Sequence, residues 1–346
     1  MVKNLKVFMA SIILIVSACS HHDGTNYRII YKQDMNAQET IGKQEEKQAT
    51  IAIIPKVINI PYFNAVKEGV NEAARALDVH VIYEGPVIAD ANQQIAIIEK
   101  MITKKVDVIA VSANDPQKLI PVLKKAKKQS IKVITWDADT NSEGREYFVN
   151  MVNPETLGRH LMDILAWNTE ESGDFAIMTG AYSASNLNEW LKWIQTQLDE
   201  YYPNMNLVEI VATDDDPHKA YMQAKKLLRN YPHLKGIIGN SSVGPPAAAQ
   251  AVKEFKKSGK VSVVGLSSPN SMNDYLKDGS AQIITLWSPK KLGYLTVAIA
   301  NNLNEGIYPY DKQEIAGVGK IQLLGEMVIM GEPIDFTKEN VDQYDF

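Results

Sequence analysis

From residue 50 onward, short apolar runs alternate with longer stretches whose apolar positions repeat at helical spacing. This alternation constrains the fold more than any other feature. Strands separated by helices run parallel, and the helices must cover the faces of the sheet. I-A-I-I (51–54), V-H-V-I-Y (79–83), V-D-V-I-A-V (106–111) and I-K-V-I-T-W (131–136) read as strands. Val66, Val70, Ala73, Ala74 and Leu77 share one face of a helix over 63–77. Ile95, Ile98, Met101 and Ile102 mark a second helix, and 116–128 a third. The order then repeats. D-F-A-I-M-T (174–179), N-L-V-E-I-V (206–211), G-I-I-G (236–239), V-S-V-V-G (261–265) and A-Q-I-I-T-L-W (281–287) read as strands. Helices fall near 188–200, 217–229, 246–257 and 289–304. The expected fold class is α/β, with two doubly wound parallel-sheet lobes of similar layout, which suits a chain of 346 residues.

In open parallel sheets, ligands bind beyond the carboxyl ends of the strands, and two such units facing each other form a cleft there. The segments at those ends are P-K-V-I-N-I-P-Y-F, S-A-N-D-P, W-D-A-D-T, G-A-Y-S-A-S-N-L-N-E-W, T-D-D-D-P, N-S-S-V-G-P-P-A-A-A-Q, S-S-P-N and W-S-P. Their Asn, Asp, Ser and Lys residues grip hydroxyls, and their flat rings cover C–H faces. The stretch V-I-T-W-D-A-D-T (133–140) raises the sharpest question, because Asp137 and Asp139 follow a buried strand. A glycosidase pair must flank a bond with carboxylates about 5–9.5 Å apart, which two acids on one strand end hardly do. A calcium loop needs a glycine and further ligands that D-A-D-T lacks. A clamp for ligand hydroxyls fits, and so does a bland role in which Asp139 caps the next turn. Lys56, one residue past a strand-ending proline, suits a Schiff base, a donor to ligand hydroxyls or a solvated side chain, and its position favours none of these. Asp214, Asp215 and Asp216 before Pro217 read as the start of a helix, with the cleft as an alternative for one of them.

A net charge of -5 and a pI near 5.8 argue against nucleic acid as a partner. Lys124, Lys125, Lys127 and Lys128 bunch at the spacing of a wet helix face. No G-x-G-x-x-G, P-loop, G-x-S-x-G or H-E-x-x-H occurs, which weakens enzyme readings generally. The single cysteine, Cys19, rules out an internal disulfide and a cysteine-built zinc site. Lys3 and Lys6 precede an apolar run from Val7 to Val16, shorter than the roughly 20 residues of a spanning helix. This pattern is a secretory signal over residues 1–19. V-S-A-C (16–19) resembles the lipobox of bacterial lipoproteins, which implies a lipid on Cys19. The protein is then expected on the extracellular face of the cytoplasmic membrane, which fits a Gram-positive host. Residues 20–49 are polar and read as a flexible tether, with His21 and His22 solvated in it.

The specific residues point further. I-A-I-I-P-K (51–56), V-I-Y-E-G-P (81–86), V-I-T-W-D-A-D-T (133–140), P-P-A-A-A-Q (245–250), S-S-P-N (267–270) and T-K-E-N-V-D-Q-Y-D-F (337–346) resemble the type I periplasmic sugar-binding proteins. Within them the likeness is to the autoinducer-2 receptors of Lsr-type ABC transporters and their rhamnose-binding relatives. The resemblance spans residues 50 to 346 and implies two lobes that close around a ligand by a hinge. It implies an N-terminal lobe of 50–153 plus about 287–320 and a C-terminal lobe of 154–286 plus about 321–346. It implies a monomer without cofactor or metal, partnered by an ABC permease and ATPase, that binds a small sugar-like ligand such as autoinducer-2. In that family a lysine, the aspartate of the W-D motif, an Asp-Gln pair, a proline and an alanine hold the ligand. Lys56, Asp137, Pro246 and Ala248 match four of these. At the Asp-Gln pair this chain departs, with Asn186 and Leu187. Asn186 keeps an acceptor but loses the charge, and Leu187 removes a polar partner. Tyr62, Phe63 and Trp287 are expected as apolar cover, and Asp139 beside Asp137 in the clamp.

Overall fold

A computed structural model describes residues 48–346; the signal segment, Cys19 and the tether up to residue 47 lie outside the described residues. The first lobe starts with β1 (Thr50–Ile54), α1 (Pro61–Ala76), β2 (His80–Tyr83), α2 (Ala91–Lys104), β3 (Val108–Val111), α3 (Ile120–Lys128), β4 (Lys132–Trp136) and β5 (Tyr147–Asn150). The chain then crosses to α4 (Pro154–Asn168), β6 (Gly173–Thr179), α5 (Ser185–Tyr201), β7 (Met205–Ala212), α6 (Pro217–Asn230), β8 (Gly236–Gly239), α7 (Gly244–Glu254), β9 (Ser262–Leu266), α8 (Pro269–Lys277) and β10 (Ile283–Leu286). It returns through α9 (Pro289–Asn304), β11 (Glu314–Ile315), β12 (Gly319–Lys320), β13 (Gln322–Leu324) and β14 (Met327–Ile329), and crosses a last time to β15 (Ile334–Phe336).

Local chemistry sets these boundaries. Asn153, Asp216, Ser268 and Ser288 each cap a helix by accepting from a backbone N–H of its first turn, and each is followed by a proline at the first helical position. These four helices therefore begin within a few residues of strand ends, and the loops before them are short.

The sheets run β13-β14-β5-β4-β3-β1-β2 and β15-β10-β9-β8-β6-β7. All pairs within the two α/β units are parallel, as expected. The edges are not: β13 pairs antiparallel with β14, and β15 with β10. The expected lobe boundary near residue 321 needs correction. β13 and β14 belong to the first sheet, with Val328 opposite Val149 of β5, so the last crossover falls between β14 and β15. Among the described residues three segments thus join the lobes: β5 to α4, β10 to α9, and β14 to β15. Among the described residues no helix is long and apolar enough to cross a membrane.

α9 packs against α1 and lies over β1, β3, β4 and β5. The two helices approach so closely that a Cβ on Gly293 would stand 2.2 Å from the Val66 carbonyl oxygen, and one on Gly69 1.8 Å from that of Lys290. Backbone cannot give way as a side chain does. Gly293→Ala is therefore expected to cost about 1–3 kcal/mol, read as a lower urea midpoint at unchanged slope. An unchanged midpoint would show that the helices can slide apart.

A polar cluster sits where the crossovers reach the second lobe. His160 Nε2 on α4 is 2.8 Å from Asp335 Oδ1 on β15, and Thr285 Oγ1 on β10 donates to the same oxygen at 2.7 Å. The hydrogen bond to Asp335 raises the His160 pKa against its partial burial. Burial pushes the Asp335 carboxyl up, but the bonds from His160 and Thr285 outweigh it and leave the pKa lowered. The raised imidazole stabilises fully below its unfolded value of about 6.5 and loses that contribution as pH rises through its folded value. The lowered carboxyl contributes above its unfolded value and loses it as pH falls through the folded one. The stability advantage of wild type over His160→Ala is thus expected to be largest near pH 5 to 6 and to shrink toward pH 8. Urea denaturation across that range would reveal a flat difference if the pair were idle.

Candidate functional site

The cleft lies beyond the carboxyl ends of β1, β3 and β4 on one side and of β6, β7 and β8 on the other. The loops are braced from behind by Gln94, fully buried on α2. Its amide donates to the carbonyls of Pro55 and Ser112 at 3.0 and 2.7 Å, and its oxygen accepts from Asn114 N. Asn114 Nδ2 in turn donates to the Lys56 carbonyl at 2.8 Å. The segment after β1 therefore holds Lys56 pointing into the cleft.

Trp136 itself is core: its Nε1 donates to the Ala110 carbonyl and its ring meets Phe63 edge-on. Asp137 is the residue delivered. Its φ is +59°, and the Ala138 N–H donates back to the Trp136 carbonyl at 2.6 Å, which makes a three-residue γ-turn centred on Asp137. The conformation is sparsely populated for a residue with a side chain, and such backbone clusters at functional sites. It turns the carboxylate toward Tyr62, whose OH donates to Oδ1 at 3.2 Å, and toward Ser112, whose Oγ donates to Oδ2 at 2.6 Å.

Asp139 is placed apart from Asp137. Its carboxylate accepts from the Arg145 guanidinium at 3.0 and 2.8 Å, from Thr140 N, and from the Thr135 hydroxyl. It is fully engaged in holding the loop and does not line the cavity. Two other expected residues also lie elsewhere. Pro246 lines a neighbouring open groove, and Ala248 is completely buried in α7.

Lys56, Asp137, Asn186, Leu187, Tyr62, Phe63 and Trp287 do come together, around one cavity of about 40 Å³. The groove beside it, which shares Tyr62 and Ser242 with it, measures about 460 Å³, and the cavity itself has room for a few waters. The lobes are closed over it. Ser183 Oγ and Ser185 Oγ of the second lobe donate to the carbonyls of Asn114 and Asp139 of the first, each at 2.8 Å.

Two lining residues were legible only as a segment: Asp215 and Ser241. In T-D-D-D-P, Asp216 caps α6 and Asp214 pairs with Lys219, while Asp215 turns into the cavity. Lys56 Nζ stands 3.7 Å from Asp137 Oδ2 and 4.0 Å from Asp215 Oδ2, and all three side chains are at most 7% exposed. These separations exceed hydrogen-bond length, so the charges surround the space rather than fill it. Burial pushes the Asp215 carboxyl up, with Lys56 opposing and Asp137 adding to the shift. Burial and the neighbouring Asp137 likewise raise the Tyr62 phenol well above its ordinary value, so it stays a donor.

Asn186 Oδ1 and Ser241 Oγ are buried without a hydrogen-bond partner of normal geometry, although Ser241 stands close enough to Asp215 to favour its charged form. The remaining wall is aromatic and aliphatic apart from Ser242. Trp190 and Trp287 lie 5.7 Å apart between ring centres, Tyr62 meets Trp287 edge-on, and Ile60, Leu187, Leu266 and Leu286 add aliphatic surface. Trp190, too, was legible only as part of a segment, the last residue of G-A-Y-S-A-S-N-L-N-E-W. Chemically, the arrangement offers an ammonium donor, two carboxylate acceptors, orphaned amide and hydroxyl oxygens, and flat rings: a set made for a small hydroxylated ring.

Comparison with known proteins agrees with this set. Residues 51–307 match the family described as periplasmic binding protein domain. An ABC transporter solute-binding protein from Clostridium phytofermentas, solved with bound L-rhamnose, is 31% identical, with a TM-score of 0.82 over 86% of this chain and 98% of that one. LsrB from Clostridium saccharobutylicum, solved in complex with AI-2, is 25% identical, with a TM-score of 0.82 over 86% of this chain and 100% of that one. The D-ribose/D-allose-binding protein of Pseudomonas aeruginosa is 25% identical over 55% of this chain, a match that spans 60% of that protein's length. The fold, the closed two-lobe cleft and these matches together establish that the chain belongs to the periplasmic binding protein family, as a type I sugar-binding receptor of the ABC-importer class rather than an enzyme.

Proposed function

We propose that this protein is the lipid-anchored receptor of an ABC importer and binds autoinducer-2, in its hydrated non-borated furanose form, for uptake and quorum-signal processing. The observation that carries the reading is the convergence of Lys56 and Asp137 from one lobe and the orphaned Asn186 Oδ1 from the other on one cavity between the lobes. Lys56 donates to the ring and hydroxyl oxygens. Asp137 accepts from the hydroxyls of the hydrated carbonyl. Asn186 takes a hydroxyl from the opposite lobe, and Tyr62, Phe63 and Trp287 cover the apolar edge. The lipid on Cys19 keeps the receptor at the outer face of the membrane, near its permease and ATPase.

A second reading has its own support. Leu187 puts an aliphatic side chain in the cavity wall, where the methyl group of a 6-deoxysugar would fit, and the relative at 31% identity was solved with L-rhamnose. Calorimetric titration with autoinducer-2, L-rhamnose and D-ribose separates the two. Micromolar or tighter binding of autoinducer-2 alone is the expected result. Binding of L-rhamnose or D-ribose in its place would overturn the ligand assignment.

A further inference from the structure

We propose that Asp215 is a second gripping acid, contributed by the C-terminal lobe, which makes a hydroxyl on the ligand face turned away from Asp137 a requirement for binding. This deepens the reading above and rests on it.

The backbone is shaped to deliver this side chain. Asp214 and Asp215 both have φ of +53°, two successive left-handed residues that carry side chains, immediately before the helix cap. Room for the carboxylate is left by a neighbour: a Cβ on Gly180, at the end of β6, would lie 2.7 Å from Asp215 Oδ1. The flanking acids have structural work, Asp216 as the cap of α6 and Asp214 with Lys219. Asp215 has none. Its neighbours are Lys56 at 4.0 Å across the cleft and the Ser241 hydroxyl beside it.

Charge counting leads the same way. The cavity buries two carboxylates with one ammonium, and Lys56 sits slightly nearer Asp137. A buried carboxylate short of donors is costly, and its raised pKa expresses that shortage. Closure without a ligand leaves Asp215 under-solvated, whereas a ligand hydroxyl aimed at it supplies the missing donor. Asp137 and Asp215 belong to different lobes, so a ligand that satisfies both must present donors on two sides. A ring with hydroxyls on only one edge leaves one acid bare.

The test is a cycle between residue and hydroxyl. Wild type and Asp215→Ala are titrated calorimetrically with autoinducer-2, L-rhamnose, D-ribose and D-arabinose. Whichever sugar binds is followed by its single-deoxy analogues, with Asp215→Asn as an isosteric variant should the alanine form fold poorly. Wild type is expected to lose about 10- to 100-fold affinity toward one deoxy analogue. The variant should bind the parent sugar about as weakly, with little further loss for that analogue. A merely structural role would lower all affinities alike. Parent-sugar affinity retained in the variant, or equal losses across all analogues, overturns the role of Asp215 alone. Failure of wild type to bind any of these probes overturns the functional reading and this proposal with it.

Discussion

Asp137→Asn is expected to weaken binding of the cognate sugar by roughly 10- to 150-fold while leaving the melting temperature of the free protein nearly unchanged. The carboxylate takes hydrogen bonds from Tyr62 and Ser112 and faces Lys56 at 3.7 Å. A hydrogen bond to a charged group contributes about 1.5–3 kcal/mol, which sets the range. Asparagine is the informative replacement because the residue sits at φ +59°. Asparagine, like aspartate, tolerates that left-handed conformation, so the γ-turn survives and only the charge and one acceptor are lost. Alanine would add backbone strain to the chemical loss and blur the two. Calorimetry and thermal melting on the same sample check the point. Unchanged affinity would remove Asp137 from the site.

Lys56→Met is expected to be the most destabilising single change at the site. It leaves Asp137 and Asp215 facing the same buried space without a cation. Removing the cation leaves both carboxylates uncompensated and costs about 3–5 kcal/mol, whereas Asp137→Asn leaves Lys56 paired with Asp215. For about 300 ordered residues this corresponds to a melting temperature lower by roughly 5–8 °C at neutral pH. The pH dependence has a definite sign. Burial already raises the Asp215 carboxyl, and without Lys56 it loses the cation that opposes that shift. Its penalty is therefore absent at low pH and grows as pH rises through its raised folded value. Lys56→Met with Asp215→Asn should recover part of the loss, because one carboxylate no longer repels the other. Differential scanning calorimetry at pH 4.5 and 7.5 on the single and double variants checks this. A pH-independent loss, or a double variant as unstable as the sum of its parts, would contradict the charge argument.

The strands and helices with long apolar periodicity were readable from the residues, because each buries a face that must repeat at 2 or 3.6 residues. Elements missed were those whose existence depends on partners far away. Tyr147–Asn150 is only four residues after a polar loop, and it is a strand because β4 and β14 flank it. Pro269–Lys277 is polar except for Pro269, Met272 and Leu276 on its buried face. The last lobe crossing was misplaced because Gln322–Leu324 and Met327–Ile329 carry too few residues to declare which sheet they join.

At the site, strand ends located Lys56 and Asp137 but could not separate Asp137 from Asp139. Two residues apart on a strand, both point the same way. The γ-turn at Asp137 breaks that period, and Arg145 draws Asp139 to the other side. Likewise, three acids in T-D-D-D-P look alike until a cap takes Asp216 and Lys219 takes Asp214. Pro246 and Ala248 followed a family pattern, and the closed lobes leave the first on a neighbouring groove and the second inside α7.

The most direct test of the account is a crystal structure of the protein with its bound sugar. The ligand is expected between the lobes, with an oxygen in hydrogen-bond reach of Lys56 Nζ, hydroxyls on the carboxylates of Asp137 and Asp215, and its C–H face on Trp190 or Trp287. A ligand seated instead in the open groove of Tyr221, Pro246 and Tyr275, with the inner cavity holding only water, would contradict it.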